Sequence, residues 1–509
     1  MKPIIIFVII FLMPCLVFGA DFESLLNEVK TAPISPMFNL QPDKNVFIND
    51  LEESGRLQEL GVTREQAGLL YDILSKRLKV AIPQSPKPFR ESKSQPTGPV
   101  RYMAEFDPQV GILMRWPIGM PEYLPTYYGM MSAIAESTDT LIIVANAAQE
   151  QTVRSQCSGQ GISLDRVQFA YWPTDTVWTR DYGPIFIGEG ETAPQTEGVV
   201  NMAYSRPWRV NDDKIPELVA QALDDPLYDT DLVQDGGNLL TDGHGTCFST
   251  MQIYANNPGW TEEQVAAFYS DYLGCTQLIT PQPLLNEGTG HIDMFVKVVK
   301  PHTVMVGQYQ PGNPNYQRLE DAASLIASSQ ALDGISYEVV RIPQTSEWIL
   351  SVLAVFHTYT NGLVAGGKVL VPQYNLAQDT EAKALYETIY PDREVVLVDS
   401  QTIIYSGGAI HCITMERQDY SVSTDDDTSD DDTSDDDAND DDTADDDVID
   451  DDMSDDDSID DDTASDDDEN IDDDNSDDDA TDDDSADDDS NSEPSEDDDD
   501  NNGGNGCGC

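Results

Sequence analysis

The sequence predicts an α/β fold made of several small units rather than one long sheet. Between residues 100 and 418, short apolar strands alternate with amphipathic helices. The polar residues that could carry chemistry stand where these predicted strands end, beside Gly-rich turns. Strand ends that converge on one point imply a ring or a barrel.

Predicted strands and helices alternate along this region. The strands are Val110–Met114, Thr140–Val144, Gly198–Met202, Met294–Val299 and Lys368–Pro372. The helices are Glu150–Gln156, Ile215–Leu223, Glu262–Leu273, Arg318–Leu332 and Thr380–Ile389. A further helix is predicted earlier, over Leu60–Leu78, where Thr63 is placed to act as the N-cap.

The first 20 residues are typical of an export signal. Lys2 precedes an apolar run from Ile4 to Phe18, and the segment Val17–Ala20 contains the small residues that a cleavage site needs. A membrane span is the alternative, but the run is short for one and Asp21 follows it directly. We therefore expect a cleaved signal peptide (residues 1–20), a secreted or cell-surface protein and no membrane span in the mature chain.

Residues 21–99 form a leader that precedes the predicted main domain at residues 100–420. The helix of this leader is followed by a stretch from Pro83 to Pro99 that is rich in Pro, Ser and Lys, as linkers are. We interpret the leader as a small helical cap or a propeptide.

Residues 421–509 form an acidic tail that is predicted to be disordered. The tail repeats three aspartates followed by two small residues, and Asp425–Asp500 contains 46 Asp and Glu residues with no Lys, Arg or His. Self-repulsion and the scarcity of apolar residues prevent a packed core. The charge suits diffuse binding of divalent cations, whereas no twelve-residue calcium loop of the EF type occurs in the tail.

The rest of the chain is acidic in its own right. Of the 96 acidic residues, 50 lie outside Asp425–Asp500 and face 27 Lys and Arg, which leaves a net charge of about −23. This charge disfavours nucleic acid and anionic membranes as partners and suits a cationic substrate.

The cysteines indicate an oxidising compartment rather than a metal cluster. Seven are present, and six would remain after cleavage at Ala20. Export permits disulfides, and Cys247 with Cys275 is the most plausible internal pair. The sequence contains no Cys-x-x-Cys pair and no His-Glu-x-x-His spacing, so no metal site is expected.

Cys412, in the last apolar stretch of the main domain, is the candidate nucleophile. Gly407 and Gly408 let the backbone approach a ligand closely, and the run after them is predicted to be a short strand. His411 would then face away from the thiol, because adjacent strand residues face opposite sides, and His291 is the better candidate base. The alternative is an inert cysteine in an apolar core.

His291 and Asp293 belong to one short segment, Gly290–Asp293. On a strand these two residues face the same way, and Ile292 between them turns into the core. The alternative is a structural histidine whose hydrogen bonds are satisfied within the core.

An aromatic residue and a carboxylate precede a Gly-Pro turn, where side chains can face a cleft. Trp178 supplies a flat face and Asp181 supplies paired acceptors, a combination that suits a planar, delocalised cation. The alternative is a surface ion pair between Asp181 and Arg180. Asp175 is a second carboxylate nearby, and Asp235 opens a Gly-Gly turn further along the chain.

Taken together, these segments resemble the bacterial peptidyl-arginine deiminase and agmatine deiminase family of guanidine-modifying hydrolases. The matching stretches, in the order of the family, are Ala104–Pro108, Met114–Pro117, Trp178–Pro184, Asp235–Asn238, Gly290–Asp293, Tyr359–Asn361 and Gly407–Cys412. The resemblance covers residues 100–418 and implies the pentein fold, a five-fold pseudo-symmetric α/β propeller. It also implies that neither a metal nor an organic cofactor is needed.

The resemblance implies a role for each matching residue. Cys412 would be the nucleophile, His291 the general acid and base, and Asp181 and Asp293 would grip the guanidinium. The thiolate would add to the guanidinium carbon, ammonia would leave, and water would hydrolyse the covalent thiouronium. The expected substrate-binding residues are Trp178, Asn361, Asp235, Arg206 and Asp175.

The substrate is expected to be arginine in peptides or proteins, with citrulline and ammonia as products. In the secreted peptidyl-arginine type, an Arg-Pro-Arg stretch binds the carboxylate of a C-terminal arginine. Arg206 matches its first arginine, but Trp208 occupies the second place and Arg209 lies one residue further on. The alternatives are a small guanidine such as agmatine, or a catalytically silent surface binding protein.

Overall fold

A computed structural model describes residues 22–32, 34, 40–41, 43–78 and 94–422 of the chain. The predicted export signal, most of the predicted linker and the acidic tail lie outside the described residues.

Helices alone make up the secondary structure of the described part of the leader. They are α1 (Phe22–Thr31), α2 (Lys44–Glu53), α3 (Arg56–Leu60) and α4 (Arg64–Arg77). Thr63 caps α4 as predicted: its hydroxyl accepts from the N–H of Gln66, and the Gln66 side chain accepts from the N–H of Thr63.

The strands of the described residues form five small sheets. The first contains β1 (Val100–Arg101), β5 (Ile185–Glu189), β6 (Thr196–Ala203) and β7 (Leu227–Val233). The second contains β8 (Leu240–Thr241), β9 (Thr246–Phe248) and β10 (Gln277–Ile279). The third contains β11 (Val296–Lys300), β12 (Thr303–Gln308), β13 (Glu338–Ile349) and β14 (Leu353–Thr358). The fourth contains β15 (Leu363–Ala365), β16 (Lys368–Gln373) and β17 (Glu394–Asp399), and the fifth β18 (Met415–Gln418), β2 (Gln109–Arg115), β3 (Thr140–Val144) and β4 (Val167–Tyr171).

Helices lie between these strands, and all of them except α7 (Thr179–Tyr182), which lies between β4 and β5 of different sheets, connect parallel strands of one sheet. They are α5 (Leu124–Ile134), α6 (Ala147–Gly159), α7 (Thr179–Tyr182), α8 (Ile215–Leu223), α9 (Gln252–Asn256), α10 (Glu262–Leu273), α11 (Tyr316–Ala327) and α12 (Gln378–Ile389). In four sheets an antiparallel pair is followed by a helical crossover to a parallel strand, as in β11–β12–α11–β13 and β15–β16–α12–β17. In the fifth sheet the antiparallel pair joins β2 to β18, the last strand of the described residues. The chain therefore has a mixed α/β fold built from repeated small units, as predicted.

Predicted element boundaries agree with the structure where local signals set them. Thr140–Val144, Ile215–Leu223 and Glu262–Leu273 are confirmed at both ends. Helix α11 ends at Ala327 rather than at Leu332, because a turn at Gly334 (φ +86°) reverses the chain and pairs Gln330 with Ser336. Strand β11 starts at Val296 rather than at Met294, because a 3-10 turn precedes it.

The interior combines large apolar clusters with a buried charged centre. Trp116, Tyr127 and Phe248 are fully buried in one cluster. The predicted disulfide Cys247–Cys275 is present and joins β9 to the chain after α10. No described helix is long and apolar enough to cross a bilayer.

Candidate active site

Cys412 lies in a 3-10 turn, His411–Ile413, and not in the predicted strand. The side chain of Asn361 bends the backbone there, because its Oδ1 accepts from the N–H groups of Ala409 (3.0 Å) and Cys412 (3.3 Å). The Nδ2 of Asn361 donates to the sulfur of Cys412 at 3.1 Å. The strand prediction was wrong because a residue some fifty positions away decides the local backbone shape.

His291 also precedes a 3-10 turn, Ile292–Met294, where a strand was predicted. The carboxylate of Glu287 shapes its approach by accepting from the N–H groups of Gly290 (2.6 Å) and His291 (3.3 Å). Ile292 is fully buried in the core, as expected. His291 thus reaches the site from a tight turn that an internal carboxylate holds.

Two carboxylates flank the imidazole of His291. Its Nδ1 lies 3.5 Å from Oδ1 of Asp181, and its Nε2 lies 3.1 Å from Oδ2 of Asp235. Burial alone would lower the pKa of His291, but the charge of Asp181 and the hydrogen bond to Asp235 raise this pKa to about 9. His291 is therefore an imidazolium at neutral pH and can act as an acid.

Asp293 joins the thiol to the rest of the site. Its Oδ2 accepts from Nδ1 of His411 (2.7 Å) and Nδ2 of Asn361 (3.1 Å), and it lies 3.5 Å from the sulfur of Cys412. Its Oδ1 is buried and has no hydrogen-bond partner among the described residues, and the same holds for Oδ1 of Asp181. Two buried carboxylate oxygens without partners are what a bound cation with N–H donors would satisfy.

Two glycines keep the space between these groups open. A Cβ atom on Gly237 would stand 2.5 Å from Nδ1 of His291, 2.8 Å from Oδ1 of Asp181 and 3.3 Å from Oδ2 of Asp293. The imidazole and both carboxylates therefore line one small space that glycine leaves free. A Cβ atom on Gly408 would lie 2.7 Å from the sulfur of Cys412 and 3.0 Å from the ring of Trp178.

Trp178 and the thiol meet at Gly408, so the predicted aromatic wall stands beside the nucleophile. The indole is buried, and its Nε1 has no partner in the part of the chain that the structure describes. Arg180 does not form a surface pair with Asp181: it lies buried beneath the site and forms an ion pair with Glu416. Asp181 is therefore not paired with Arg180, and its Oδ1 faces the space beside Gly237.

The remaining predicted residues divide between the site and its surroundings. Asp235 accepts from the N–H of Ser205 at 2.8 Å and holds His291, so its contacts favour orienting the base rather than binding substrate. Arg206 donates to the hydroxyl of Ser205 at 2.7 Å. Asp175 lies outside the cluster: it is exposed and accepts from the N–H and the side chain of Asn211, both at 2.8 Å.

His411 is a site residue whose role the sequence did not reveal. Its Nδ1 faces Asp293 at 2.7 Å and its Nε2 faces Oε2 of Glu105 at 3.3 Å, while Glu105 pairs with Nζ of Lys297 at 2.6 Å. An ionised carboxylate only accepts, so Nδ1 of His411 donates to Asp293. The predicted strand turned His411 away from Cys412 but offered no partner for it. Its position next to the thiol was the only available signal.

Without a bound substrate, the thiol of Cys412 is protonated. Burial raises the pKa of Cys412 well above its usual value, and the negative charges of Asp293 and Asp181 raise it further. Burial likewise raises the pKa of Asp181 to about 7, although the charge of His291 opposes this. A cation bound between these groups would reverse the balance and favour the thiolate.

One small space is surrounded by a buried thiol, a charged imidazole and two carboxylate oxygens that accept no hydrogen bond from the described residues. This arrangement is that of a hydrolase that uses a thiol to act on cationic, planar groups. Residues 101–417 match the family of Porphyromonas-type peptidyl-arginine deiminases. The chain belongs to this family and is a C–N hydrolase that acts on guanidines.

Two relatives of this chain are named agmatine deiminases. The agmatine deiminase of Pseudomonas syringae pv. tomato is 26% identical over 353 residues, which cover 62% of this chain and 94% of the relative. The agmatine deiminase of Pseudomonas putida is 27% identical with the same coverage. The solved structure of agmatine deiminase from Enterococcus faecalis has a TM-score of 0.56 at 22% identity, covering 63% of this chain and 96% of that one. This last likeness shows that the fold is that of the pentein-type deiminases.

Proposed function

We propose that the chain hydrolyses the guanidinium group of agmatine to a ureido group, releasing ammonia and N-carbamoylputrescine. The observation that carries the proposal is a pair of buried oxygens, Oδ1 of Asp181 and Oδ1 of Asp293, that accept no hydrogen bond from any described residue, with Asp293 in contact with the sulfur of Cys412. The relatives' names favour agmatine over peptidyl-arginine, which reverses the order of preference drawn from the sequence.

The first half-reaction uses the charge of the substrate. The two carboxylates accept N–H groups of the guanidinium, and its positive charge lowers the pKa of Cys412 and favours the thiolate, while the thiol proton is released to solvent. The thiolate adds to the central carbon, and the carboxylates stabilise the crowded tetrahedral state. His291, protonated below pH 9 or so, gives its proton to the departing ammonia.

The second half-reaction restores the free enzyme. His291, now neutral, takes a proton from a water molecule as that water attacks the covalent thiouronium carbon. The carbon–sulfur bond breaks, the ureido product leaves, and the thiol and the imidazolium are regenerated. Asp235 and Asp181 keep the imidazole in place through both steps.

Ammonia release from matched substrates tests the proposal. Agmatine, free arginine and an N-blocked arginyl peptide are compared at equal concentration, with Cys412→Ala as the control. We expect turnover of agmatine that the variant loses completely. Turnover of the peptide alone would refute the substrate, and activity that survives Cys412→Ala would refute the mechanism.

Peptidyl-arginine is the second candidate because a buried arginine, Arg206, lies close to the site and is a cation that can bind the carboxylate of a C-terminal arginine. Arg206 is buried and points its guanidinium at Ser205 and the backbone oxygen of Gly288, next to the His291 turn. Arg209 is engaged elsewhere, since its Nη1 donates to the hydroxyl of Tyr204 at 2.6 Å. A site with one arginine would bind a terminal carboxylate less firmly than a site with two.

Two broader expectations are also proposals. We propose that the five sheets stand around one pseudo-five-fold axis, which the repeated connection of the sheets supports. We propose export of the chain, which the Cys247–Cys275 disulfide supports because such bonds persist in oxidising compartments. N-terminal sequencing of the mature protein tests export, and an intact Met1 would refute it.

A further inference from the structure

The leader precedes the region that matches the family, yet it contacts the loop that leads to the base. Its helix α2 places Asp50 so that Oδ2 accepts the backbone N–H of Asn286 at 3.1 Å. On the same helix, Glu53 pairs with Nη2 of Arg318 at 2.7 Å, and Nη1 of Arg318 donates to the backbone oxygen of Pro283 at 2.5 Å. Both contacts converge on residues 283–286, five to eight positions before His291.

A second set of contacts holds the leader on the β13–β14 hairpin. Nε of Arg56 donates to the backbone oxygen of Ser351 at 2.8 Å, and its guanidinium stacks 4.7 Å from the ring of Trp348. Val352 and Leu353 of the hairpin are buried in the leader's own apolar core. The leader completes its core with residues of the main domain, which suits a permanent part of the fold rather than a removable propeptide.

The loop held by Asp50 continues directly into the turn that presents the base. Asn286 adopts a left-handed backbone (φ +62°), which aims its N–H at the leader. The next residue, Glu287, accepts from Thr289, Gly290 and His291 and so sets the path of the turn. One hydrogen bond from the leader therefore stands at the start of a chain of contacts that ends at the backbone N–H of His291.

A small cleft has the start of this turn as one of its walls. Glu287, Gly288, Ala354, Phe356 and Gly407 line this cleft. The leader contacts the residues that immediately precede two of its walls, Asn286 before Glu287 and Leu353 before Ala354. The leader thus supports both walls from outside, without entering the cleft.

We propose that the leader is a working part of the active site, with Asp50 as a positioning residue that holds the 286–291 turn and, through it, His291. The proposal deepens the proposed function, since it concerns the same base, but its contacts stand without any substrate. It predicts that weakening one contact on α2 changes the environment of an imidazole that α2 never touches.

The property that a loosened 286–291 turn would alter is the pKa of His291, because several charged groups face its ring. Asp181, Asp235 and Asp293 raise its pKa, and Arg206 lies close enough to lower the pKa of Asp181 and Asp235. If the turn loosens, the imidazole moves away from the carboxylates that hold its proton, and its pKa falls. Asp50 itself is half-buried, and burial raises its pKa to about 6, so it is a carboxylate at neutral pH.

Three variants of the full chain isolate this contact. Asp50→Ala removes the acceptor, and Asp50→Asn removes the charge but keeps an oxygen that can accept from Asn286. Asp72→Ala is the matched control, because it removes an equal charge that pairs only with Lys44 inside the leader in the contacts described. The readouts are the ring titration of His291, in protein labelled with carbon-13 histidine, and kcat and KM for agmatine. The chain has five histidines, and His291→Gln identifies the signal.

We expect Asp50→Ala to lower the titration midpoint of His291 and to lower kcat by about fivefold to tenfold, the size of one typical lost hydrogen bond. KM should change little, since Asp181 and Asp293 grip the substrate and neither is moved. Asp50→Asn should retain most of the wild-type kcat and titration, and Asp72→Ala should match the wild type in both.

An unchanged titration and an unchanged kcat in folded Asp50→Ala would overturn the proposal. Equal losses in Asp50→Ala and Asp72→Ala would also overturn it, because the leader would then act only through overall stability. If Asp50→Ala does not fold, Arg318→Gln takes its place and should shift both readouts the same way; no shift overturns the proposal. Wild-type protein that releases no ammonia refutes the proposed function, while the titration still decides this inference.

Discussion

Replacing Asp235 with asparagine should lower the pKa of the catalytic imidazole by a measurable amount. Oδ2 of Asp235 lies 3.1 Å from Nε2 of His291, and the pKa of His291 is raised from 6.5 to about 9 by Asp181 and Asp235 together. An opposite charge at this distance shifts a pKa by about 1 to 3 units. Because Asp181 remains next to the ring, we expect a shift in the lower part of this range, about 1 to 2 units, which brings the pKa of His291 in Asp235→Asn to roughly 7 to 8.

Carbon-13 titration of the His291 ring measures this shift directly, with Asp175→Asn as the control. Asp175 is exposed and lies outside the cluster, so the same chemical change there should leave the titration where it was. A titration midpoint in Asp235→Asn equal to that of the wild type would refute the electrostatic account of the site.

The same shift predicts how the stability of this variant depends on pH. The pKa of His291 is higher in the folded state than in the unfolded state, so the ion pair stabilises the fold fully below pH 6.5 and loses this effect as pH rises through 9. Asp235→Asn should cost about 1 to 3 kcal/mol more at pH 6 than at pH 9.5, at about 1.4 kcal/mol per unit of pKa. Urea unfolding at the two pH values measures the difference, and an equal cost at both would contradict the reasoning.

Three further changes test the geometry of the site. Gly237→Ala should reduce kcat/KM for agmatine by about a hundredfold or more, because a Cβ there would fill the space between the imidazole and the carboxylates. Gly159→Ala is the control: no atom lies within 4 Å of a Cβ at that position, so kcat/KM should not change. His411→Gln should raise KM and lower kcat/KM about tenfold, because an amide cannot reproduce the contacts of both ring nitrogens with Asp293 and Glu105; unchanged kinetics would show that these contacts are unnecessary. Guanidinium ion should raise the thiolate absorbance of Cys412 at fixed pH in the wild type and much less in Asp293→Asn; equal rises would contradict substrate-assisted ionisation.

Local chemistry made much of this fold predictable. The cap at Thr63, the helix Ile215–Leu223 and the strand Thr140–Val144 depend on neighbours within a few residues, and each is where the sequence placed it. The short motifs of the site, taken together and in order, were also sufficient to indicate a guanidine hydrolase, because its residue types lie in recognisable short segments.

Contacts between distant segments decided the rest. Asn361 turns the Cys412 segment away from a strand, His411 lies between Asp293 and Glu105, and Asp50 of the leader contacts the loop before His291. The sequence by itself determined which residue types are available and which short elements they form, because propensity and capping act over a few positions. Only the tertiary structure decided which charges meet and which oxygens stay unpaired, because burial strengthens each such contact and depends on segments that are far apart in the chain.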